Sequence, residues 1–577
     1  MNNRFYNIFL NRNTSILILL LVVSCVLKIA YLFCCTKYQT YLYSDMGYYW
    51  FKAVHLYEGD LFSSYQWNDH PMLMHQYLFF IFKILAFFHL SNYRLESILL
   101  LNIFFSTASI YFFYVTAKEV LGSRLLPLIA SFLYAFSYPL IFNNIFVLSE
   151  NIATPLLVLA NYVVFQDKMS KKGLFLGGLL LGLTFGVRPN LGIMLIPFSV
   201  YILVHRKFCF SSLFRPATFI SGFLLVFFLL GVEQYYISKG ATRTVAPHGG
   251  VSFAIAQCKP FSIQTTYYPD PSGFVHPTFS IHPEFGVMMT DRPWHDQLYF
   301  YKIGFHCFMQ RSFLGLENLK YFKAMFFDPL FPGNPGVVGF KTLIGISNYL
   351  LAIMFLSLGL LILFCRNNQV RNKKIITLAS MPLFIATVSF FFGFEQRYLT
   401  PVLYALYIIF IFVLKFIKNY KKQASVYFFS LLTIYFSYRA CSVLYKEHLL
   451  KTYHTTNIRM FPLDSAKIVK KNGSPWNLWE NFIMQPDMAL LFKAKQKISA
   501  SEVELSTDAN DVYRLDFYSG PKHIGILIVP DVPNGTGLIS QTLSLPDEIK
   551  QTAFDNVLVR PAKGNDEYSL GHIIFKS

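Results

Sequence analysis

The apolar run SILILLLVVSCVLKIAYLFCC (Ser15–Cys35), followed closely by YLYSDMGYYWFKAVHLYEGDLFSSYQWNDHP (Tyr41–Pro71), decides the fold class of this chain. The first part is long and apolar enough to cross a bilayer, which needs about 20 residues. The second part places acidic side chains among eight Tyr and Trp residues. A carboxylate so close to hydrocarbon is costly unless it faces water or a partner, so these acids are functional candidates. The alternative interpretation is a solvated loop with an interfacial aromatic belt.

Composition indicates a polytopic α-helical membrane protein. Of the 577 residues, 54% are hydrophobic and only 14% are charged, whereas soluble domains carry about 25% charged residues. Apolar runs of spanning length recur along most of the chain and predict about 11–13 transmembrane helices. The segments that could cross are 15–36, 72–90, 96–117, 125–147, 149–165, 173–187, 190–204, 217–237, 342–365, 375–393, 398–417 and 424–445.

Short basic links set the expected orientation, because cytoplasmic loops are enriched in Lys and Arg. Five such links are cytoplasmic together if every crossing from 96 onward is real: 118–124, 168–172, 205–215, 366–374 and 415–422. The segment 72–90 conflicts with this orientation. If the N-terminus is cytoplasmic, a full crossing there reverses everything downstream. Either 72–90 re-enters without crossing or a neighbouring segment is split.

The C-terminal region differs in composition and predicts a second domain. Residues 446–577 contain 15 Lys and Arg against 15 Asp and Glu, so the net charge of +19 belongs to residues 1–445. A nucleic-acid-binding module would instead need a basic soluble face. Short alternating runs predict a β-sandwich-like extracytoplasmic domain in 446–577, with Pro486–Lys497 as an amphipathic segment in an irregular to helical region. The alternating runs are 512–518, 523–529, 538–545, 556–560 and 568–575.

Two outer loops, 37–71 and 238–341, are predicted within the membrane domain 1–445. The second is rich in Pro, Gly, His and Tyr and shows no helix or strand periodicity, and a loop of that length is usually functional. Its histidines lack HxxxH or HExxH spacing, so we expect no metal site and no cofactor. Cys258 and Cys307 share this loop, where one disulfide could form.

Acidic and arginine side chains gather at the predicted outer face from distant parts of the chain. Acids together with arginines suggest a site that activates a nucleophile and holds an anion. Arginine suits a phosphate because its planar fork donates two hydrogen bonds and stays charged. Glu150 could instead serve only the N-terminus of a helix, and each arginine could be an interfacial residue. The candidate residues are Asp45, Asp69, His70, Glu150, Arg188, Glu395 and Arg397.

Several short motifs resemble those of the GT-C membrane glycosyltransferases, relatives of protein O-mannosyltransferases and of the lipid A aminoarabinose transferase. They are SDMGYYWFKA after the first span, a His-Pro pair before the next apolar segment, GLTFGVRPN and EQRYLTP. The resemblance covers about residues 15–445. It implies an inverting glycosyltransferase that moves a sugar from a polyprenyl-phosphate carrier to a glycan, lipid or protein acceptor. It also implies a multi-pass protein of a bacterial inner membrane, with the active site and C-terminal domain in the periplasm.

The resemblance assigns roles to the candidate residues. Asp45 would be the general base on the acceptor hydroxyl, which loses its proton as it attacks the anomeric carbon. Arg397, with Arg188, would hold the lipid phosphate as it becomes a more negative leaving group. Glu150 and Asp69 would orient hydroxyl groups. His70 stands where some relatives carry Lys, and Glu395 could pair with Arg397.

Two other functions fit parts of the sequence. A flippase of lipid-linked sugars would also keep arginines in the membrane, although transporters usually show internal repeats with broken helices, and this chain shows none. A glycan polymerase would also carry a large outer loop and arginines, but it has no particular need for the Asp45 segment. The sugar and the acceptor depend on pocket shape, which no motif encodes.

Overall fold

The computed structural model describes most of the chain and divides it into two compact units. One unit contains Met1–Gln257, Tyr267–Thr278 and Pro293–Leu431, and the other contains Cys258–Thr266, Phe279–Arg292 and Leu432–Ser577. The described residues are 12–42, 44–59, 71–123, 125–166, 169–205, 213–237, 249–257, 261–269, 275–283, 292–293, 297–310, 341–364, 369–392, 396–419, 448–455, 457–463, 472–473, 482–565 and 568–576.

The first unit is mainly helical. In chain order its described α-helices are α1 Arg12–Cys35, α2 Ser44–Glu58, α3 Met72–Phe87, α4 Arg94–Leu121, α5 Leu126–Ala135, α6 Tyr138–Asn143, α7 Glu150–Val164, α8 Lys171–Val187, α9 Leu195–Val204, α10 Phe214–Ile237, α11 Gly249–Gln257, α12 Gln297–Gln310, α13 Lys341–Phe364, α14 Gln369–Phe392 and α15 Leu403–Asn419. Short 3-10 helices lie at Tyr38–Thr40, Ser91–Tyr93, Pro189–Met194 and Gln396–Val402.

Six helices in the described part are long and apolar enough to cross a membrane, which fits a membrane-embedded protein. Four further apolar helices are shorter, at Met72–Phe87, Leu126–Ala135, Glu150–Val164 and Pro189–Val204. The expected span at 424–445 lies outside the described residues. The six long segments are Thr14–Cys35, Ser91–Leu121, Phe214–Tyr236, Leu343–Leu361, Lys373–Phe392 and Tyr398–Lys415.

Glycine allows the closest helix contact of this unit. A Cβ on Gly178 of α8 would lie 1.9 Å from the carbonyl oxygen of Phe219 on α10, so the two backbones touch where only a hydrogen fits. The same helix starts at Ser170, whose Oγ accepts a hydrogen bond from the Gly173 N–H at 3.0 Å. It ends at Arg188, which is extended because Pro189 follows it.

The segment 37–71, expected to be a loop, contains the 15-residue helix α2. Met46, Tyr49 and Ala53 are buried along one face of this helix at spacings of three and four. Aromatic residues on both faces hid that periodicity in the sequence. Position 72–90 contains a single helix of 16 residues, α3.

The expected span at 125–147 is divided into two helices. Helix α5 ends at Ala135, and α6 covers only six residues with Pro139 in its first turn. Residues 144–149, which follow α6, are buried without forming a continuous helix. Proline favours the first turn of a helix and terminates a preceding one, which accounts for the break.

The loop 238–341 was expected to lack regular structure, and this expectation is wrong for its described residues. It contains helices α11 and α12 and three paired strands, β1 Phe261–Pro269, β2 Val275–Pro283 and β3 Arg292–Pro293. Helix α12 buries Phe300, Gly304 and Cys307 on one face. Its opposite face is also apolar, which obscured the helical period.

The C-terminal unit contains two open sheets. Its strands are β4 Asn457–Pro462, β5 Phe482–Met484, β6 Met488–Ile498, β7 Glu502–Asp508, β8 Val512–Ser519, β9 Lys522–Val529, β10 Leu538–Ser544, β11 Phe554–Lys563 and β12 Tyr568–Lys576, with a short helix, α16, at Asp547–Lys550. One sheet has the order β10-β7-β12-β5, and the other has the order β4-β6-β11-β8-β9. The five predicted strands correspond to β8, β9, β10, β11 and β12.

The two sheets share one hydrophobic core, which includes Leu505 and Leu570 from the first and Leu490 and Phe517 from the second. The expectation of an irregular to helical segment at 486–497 is wrong, because these residues form β6. Leu490 faces the shared core, while its neighbour Leu491 packs into a separate buried cluster on the other face. The first half of β6, Met488–Phe492, is thus buried on both faces and shows no two-residue period in the sequence.

Candidate functional site

A buried ion pair joins two of the predicted site residues. Glu150, the first residue of α7, is fully buried, and its Oε1 forms an ion pair with Nη1 of Arg188 at 2.8 Å. The same Nη1 donates to Ser149 Oγ at 2.9 Å, and that hydroxyl donates to Glu150 Oε2 at 3.1 Å. The three side chains therefore form a closed ring of one ion pair and two hydrogen bonds. Each member fixes the orientation of the other two.

The 3-10 helix Gln396–Val402 lies against this pair. The Tyr398 ring centre is 4.5 Å from the guanidinium carbon of Arg188, close enough for a cation–π contact. Thr400 Oγ1 accepts from Asn143 Nδ2 at 2.8 Å, which fixes the same segment to α6. The backbone of Arg397 belongs to this 3-10 helix. The side chain of Arg397 and the whole of Glu395 lie outside the described residues.

Asp45 lies in the first turn of α2 and is half-buried. A carboxylate there is stabilised by the helix dipole. The Tyr41 ring, which precedes α2, is 5.2 Å from the Phe146 ring. The carbonyl of Phe146 accepts from Asn151 Nδ2 at 2.8 Å, one residue after Glu150. The segments that carry Asp45 and Glu150 are thus both attached to the buried turn 144–149.

Asp69 and His70, the remaining two predicted residues, lie outside the described part of the chain. The structure therefore brings Glu150 and Arg188 into direct contact and adds Tyr398, the neighbour of Arg397. It attaches the Asp45 segment to the turn that precedes Glu150. Within the described residues no group of three His, Cys, Asp or Glu side chains is placed to hold a metal ion.

A second buried cation, Lys28, was missed at the sequence level. It is 1% exposed in the middle of α1, and its Nζ donates to Ser106 Oγ of α4 at 2.8 Å. Asn144 Nδ2 donates to the same hydroxyl at 3.2 Å. A buried ionisable group inside an apolar span is a functional candidate by default. Its sequence signal was a lone lysine in the first apolar run.

Polar residues around the turn 144–149 connect these groups. Asn144 contacts Ser106, the partner of Lys28, while its neighbour Asn143 donates to Thr400 beside Tyr398. Asn151 donates to the carbonyls of Asn143 and Phe146, at 2.8 Å each. The Asn-Asn doublet inside an apolar run was the sequence signal for this network. Polar contacts thus connect this turn with Ser106, the partner of Lys28, and with Thr400 of the 3-10 helix that contacts Arg188.

The Arg188 guanidinium keeps hydrogen-bonding capacity beyond the ion pair. Its two polar contacts both use Nη1, and its buried Nε has no hydrogen-bond partner among the described residues. Arginine carries five N–H donors in a fixed plane. The site can therefore fix a carboxylate and still present donors to a second anion.

The C-terminal unit carries a polar groove with a volume of about 400 Å³. Arg560 forms part of its wall and donates from Nη2 to the carbonyl of Tyr453 at 2.8 Å. Its Nε lies 3.1 Å from Oδ2 of the buried Asp516. His454 and Asp487 add polar groups to the lining.

Comparison with family models and with curated proteins finds no match to this chain.

Proposed function

We propose that this chain is a membrane glycosyltransferase that moves a sugar from a polyprenyl-phosphate carrier to an acceptor on the outer face of the membrane, with inversion at the anomeric carbon. The observation that carries the proposal is the buried Glu150–Arg188 pair with Tyr398 over the guanidinium. It places a fixed arginine beside the 3-10 helix that contains Arg397. A second arginine beside Arg188 would suit a phosphate leaving group.

In this proposal Glu150 orients Arg188 and is not itself the catalytic base. Glu150 is fully buried and bound by both Arg188 and Ser149. Glu150 already compensates the charge of Arg188. The developing negative charge on the lipid phosphate is therefore stabilised mainly by Arg397. Arg188 contributes the hydrogen-bond donors that the ion pair leaves unused.

Asp45 is the proposed general base. It is half-buried at the start of α2, and so it is more accessible than Glu150. It would accept the proton of the acceptor hydroxyl during attack on the anomeric carbon, while the sugar–phosphate bond breaks and the lipid phosphate leaves with the bonding electron pair. Asp69, His70 and Glu395 complete the proposed set as residues that orient the acceptor or the sugar.

The proposed placement is a multi-pass inner-membrane protein of the GT-C type with its site and C-terminal domain in the periplasm. The six long apolar helices support membrane insertion. Cys307 is disulfide-bonded, which fits an oxidising compartment for the 238–341 segment; Cys258 lies outside the described residues. The two sheets on one core fit a sandwich, whose polar groove is a candidate acceptor site.

A flippase of lipid-linked sugars is the rival function, and Lys28 favours it specifically. A cation buried in α1 with a hydroxyl partner could serve an anionic lipid that passes through the membrane. A polymerase of glycans is the other alternative. A flippase moves the lipid-linked sugar intact and a polymerase joins lipid-linked repeats, so one set of assays separates them from the transferase.

The test uses purified protein in vesicles with a panel of radiolabelled polyprenyl-phosphate sugars and candidate glycan, lipid and protein acceptors. We expect one donor to lose its sugar to an acceptor and the product to have the opposite anomeric configuration. Arg397→Ala should weaken donor binding more than acceptor binding, whereas Lys522→Ala, at an exposed position of the C-terminal unit, should change neither. Transbilayer movement of intact donors without any sugar transfer would favour the flippase. Polymerisation of a lipid-linked repeat would favour the polymerase.

A further inference from the structure

Helix α12 exposes a stripe of large apolar side chains. Leu298, Tyr301, Phe305 and Met309 are 66%, 39%, 58% and 55% exposed, at helical spacings of three and four residues. The helix has 14 residues, or a length of about 21 Å, and is too short to cross a hydrocarbon core of about 30 Å. An exposed apolar stripe on a short helix is typical of an element that lies in a membrane surface.

The opposite face of α12 is packed on α11 and on the end of α14. A Cβ on Gly304 would lie 2.5 Å from the Phe253 ring and 3.0 Å from the Ala254 Cα, so glycine permits the close approach of α12 to α11. The Phe253 ring of α11 lies 5.4 Å from the ring of Phe392, and Tyr301, at the edge of the exposed stripe, lies 6.4 Å from the same ring. The exposed stripe of α12 therefore has a fixed orientation relative to α11 and α14.

The position of Phe392 indicates the depth of α11 and α12 in the membrane. Phe392 is the last residue of Lys373–Phe392, a segment long and apolar enough to span the membrane. The Gln257 side chain of α11 donates to the carbonyl of Phe391, one of the last carbonyls of α14. Helices α11 and α12 thus cover the end of a spanning segment, where the hydrocarbon gives way to the headgroup region.

Two basic side chains border the apolar stripe. Lys302 and His306 lie one turn apart and are exposed, and α12 contains no Asp or Glu. Together with Phe253, Tyr301, Phe305 and Met309 they line a concave surface with a volume of about 670 Å³. Apolar rings beside a lysine match the acyl chain and the phosphate of an anionic phospholipid.

We propose that α12 is an interfacial helix that binds the anionic phospholipid surface of the membrane through its Leu298–Met309 stripe and Lys302. The helix lies flat in the headgroup region with its apolar side chains toward the acyl chains. It holds the end of α14, and with it the start of the Gln396–Val402 segment, at a fixed depth. This role is independent of the reaction that the protein catalyses.

The test measures the depth of α12 in the full chain reconstituted into vesicles of phosphatidylcholine with phosphatidylglycerol. A ketone-bearing phenylalanine analogue at position 305 or 309 carries a nitroxide, which avoids the native thiols. Collisions with oxygen and with a water-soluble nickel complex then report depth. Phe228, exposed on α10, and Asp531, exposed in the C-terminal unit, are the hydrocarbon and aqueous reference sites.

We expect both labels at headgroup level, between the two references, and at equal depth. An upright helix would separate positions 305 and 309 by about 6 Å. Aqueous accessibility at 305 equal to that at 531 would overturn the proposal. Dipolar broadening between labels would also overturn it, because it would place a second copy of the chain on the stripe.

The contribution of charge is tested with Lys302→Glu. This variant should move the label at 305 toward water in vesicles that contain phosphatidylglycerol and leave it unchanged in pure phosphatidylcholine. Lys522→Glu, an exposed lysine of the C-terminal unit, is the matched control and should have no effect. Equal behaviour of Lys302→Glu in both lipid mixtures would refute the anionic-lipid assignment.

Discussion

Breaking the Glu150–Arg188 pair from one side should be far more harmful than removing both charges. At the N–O distance of 2.8 Å and an effective dielectric constant of 20, the attraction is about 6 kcal/mol. Desolvation of the two ions offsets a large part of it, but an unpaired buried charge keeps the desolvation cost. We therefore expect Arg188→Met to reduce the free energy of unfolding by about 3–5 kcal/mol.

A double-mutant cycle measures this coupling. Glu150→Gln, Arg188→Met and the double variant are unfolded in mixed micelles of a mild and a denaturing detergent, with α-helix content as the readout. The double variant should recover about 2 kcal/mol relative to the sum of the single variants. Lys550→Met breaks the exposed pair with Asp547 and is the control, with little expected change. Additive effects of the two site variants would refute the coupling.

Three further predictions concern neighbouring groups. Tyr398→Leu should cost about 1 kcal/mol in the same unfolding assay, because it removes the ring over Arg188, and Tyr398→Phe should cost less; equal losses would contradict the cation–π contact. Lys28→Met should raise stability by about 1 kcal/mol, because the lysine is buried against the Ser106 hydroxyl; a large loss would contradict this expectation. Burial raises the pKa of Asp511 to about 6, above the ordinary value of 3.8. The folded state therefore binds the proton more tightly than the unfolded state, and the free energy of unfolding falls as pH rises from about 4 to 6. Asp511→Asn should remove that loss, measured by hydrogen exchange of β7, β8 and β12 in the full chain and corrected for intrinsic exchange; an unchanged pH dependence would contradict the assignment.

The two-residue pattern that predicts a strand is clearest in β9, where one face is more exposed than the other. In β9, Leu527 and Val529 are buried and alternate with the exposed Ile526 and Ile528, and the two-residue period is visible in burial. In β6, Met488–Phe492 are buried on both faces and the exposed Lys493 and Lys497 follow, so no two-residue period was visible and the segment was interpreted as irregular to helical. Helices α2 and α12 were missed for a similar reason: aromatic residues occupy both faces of each helix, so no helical period of apolar and polar residues was visible.

The candidate site was predictable in part because acids and arginines from distant parts of the chain gather at the predicted outer face. Glu150 and Arg188 were selected for that reason. Their direct pairing was not predictable, because it depends on how α7 and α8 pack. Tyr398 and Lys28 were missed for a similar reason. The role of a tyrosine or lysine in an apolar run depends on the tertiary contacts of its side chain, which the sequence does not show.

The proposed reaction is tested most directly by transfer from a radiolabelled polyprenyl-phosphate sugar by the Asp45→Asn variant. This change keeps the size of the side chain but removes the base, whose contribution is typically about 10²- to 10⁴-fold. Our account predicts a loss of transfer in that range with donor binding unchanged, while Asp531→Asn retains full activity. Full transfer by correctly folded Asp45→Asn would contradict the account.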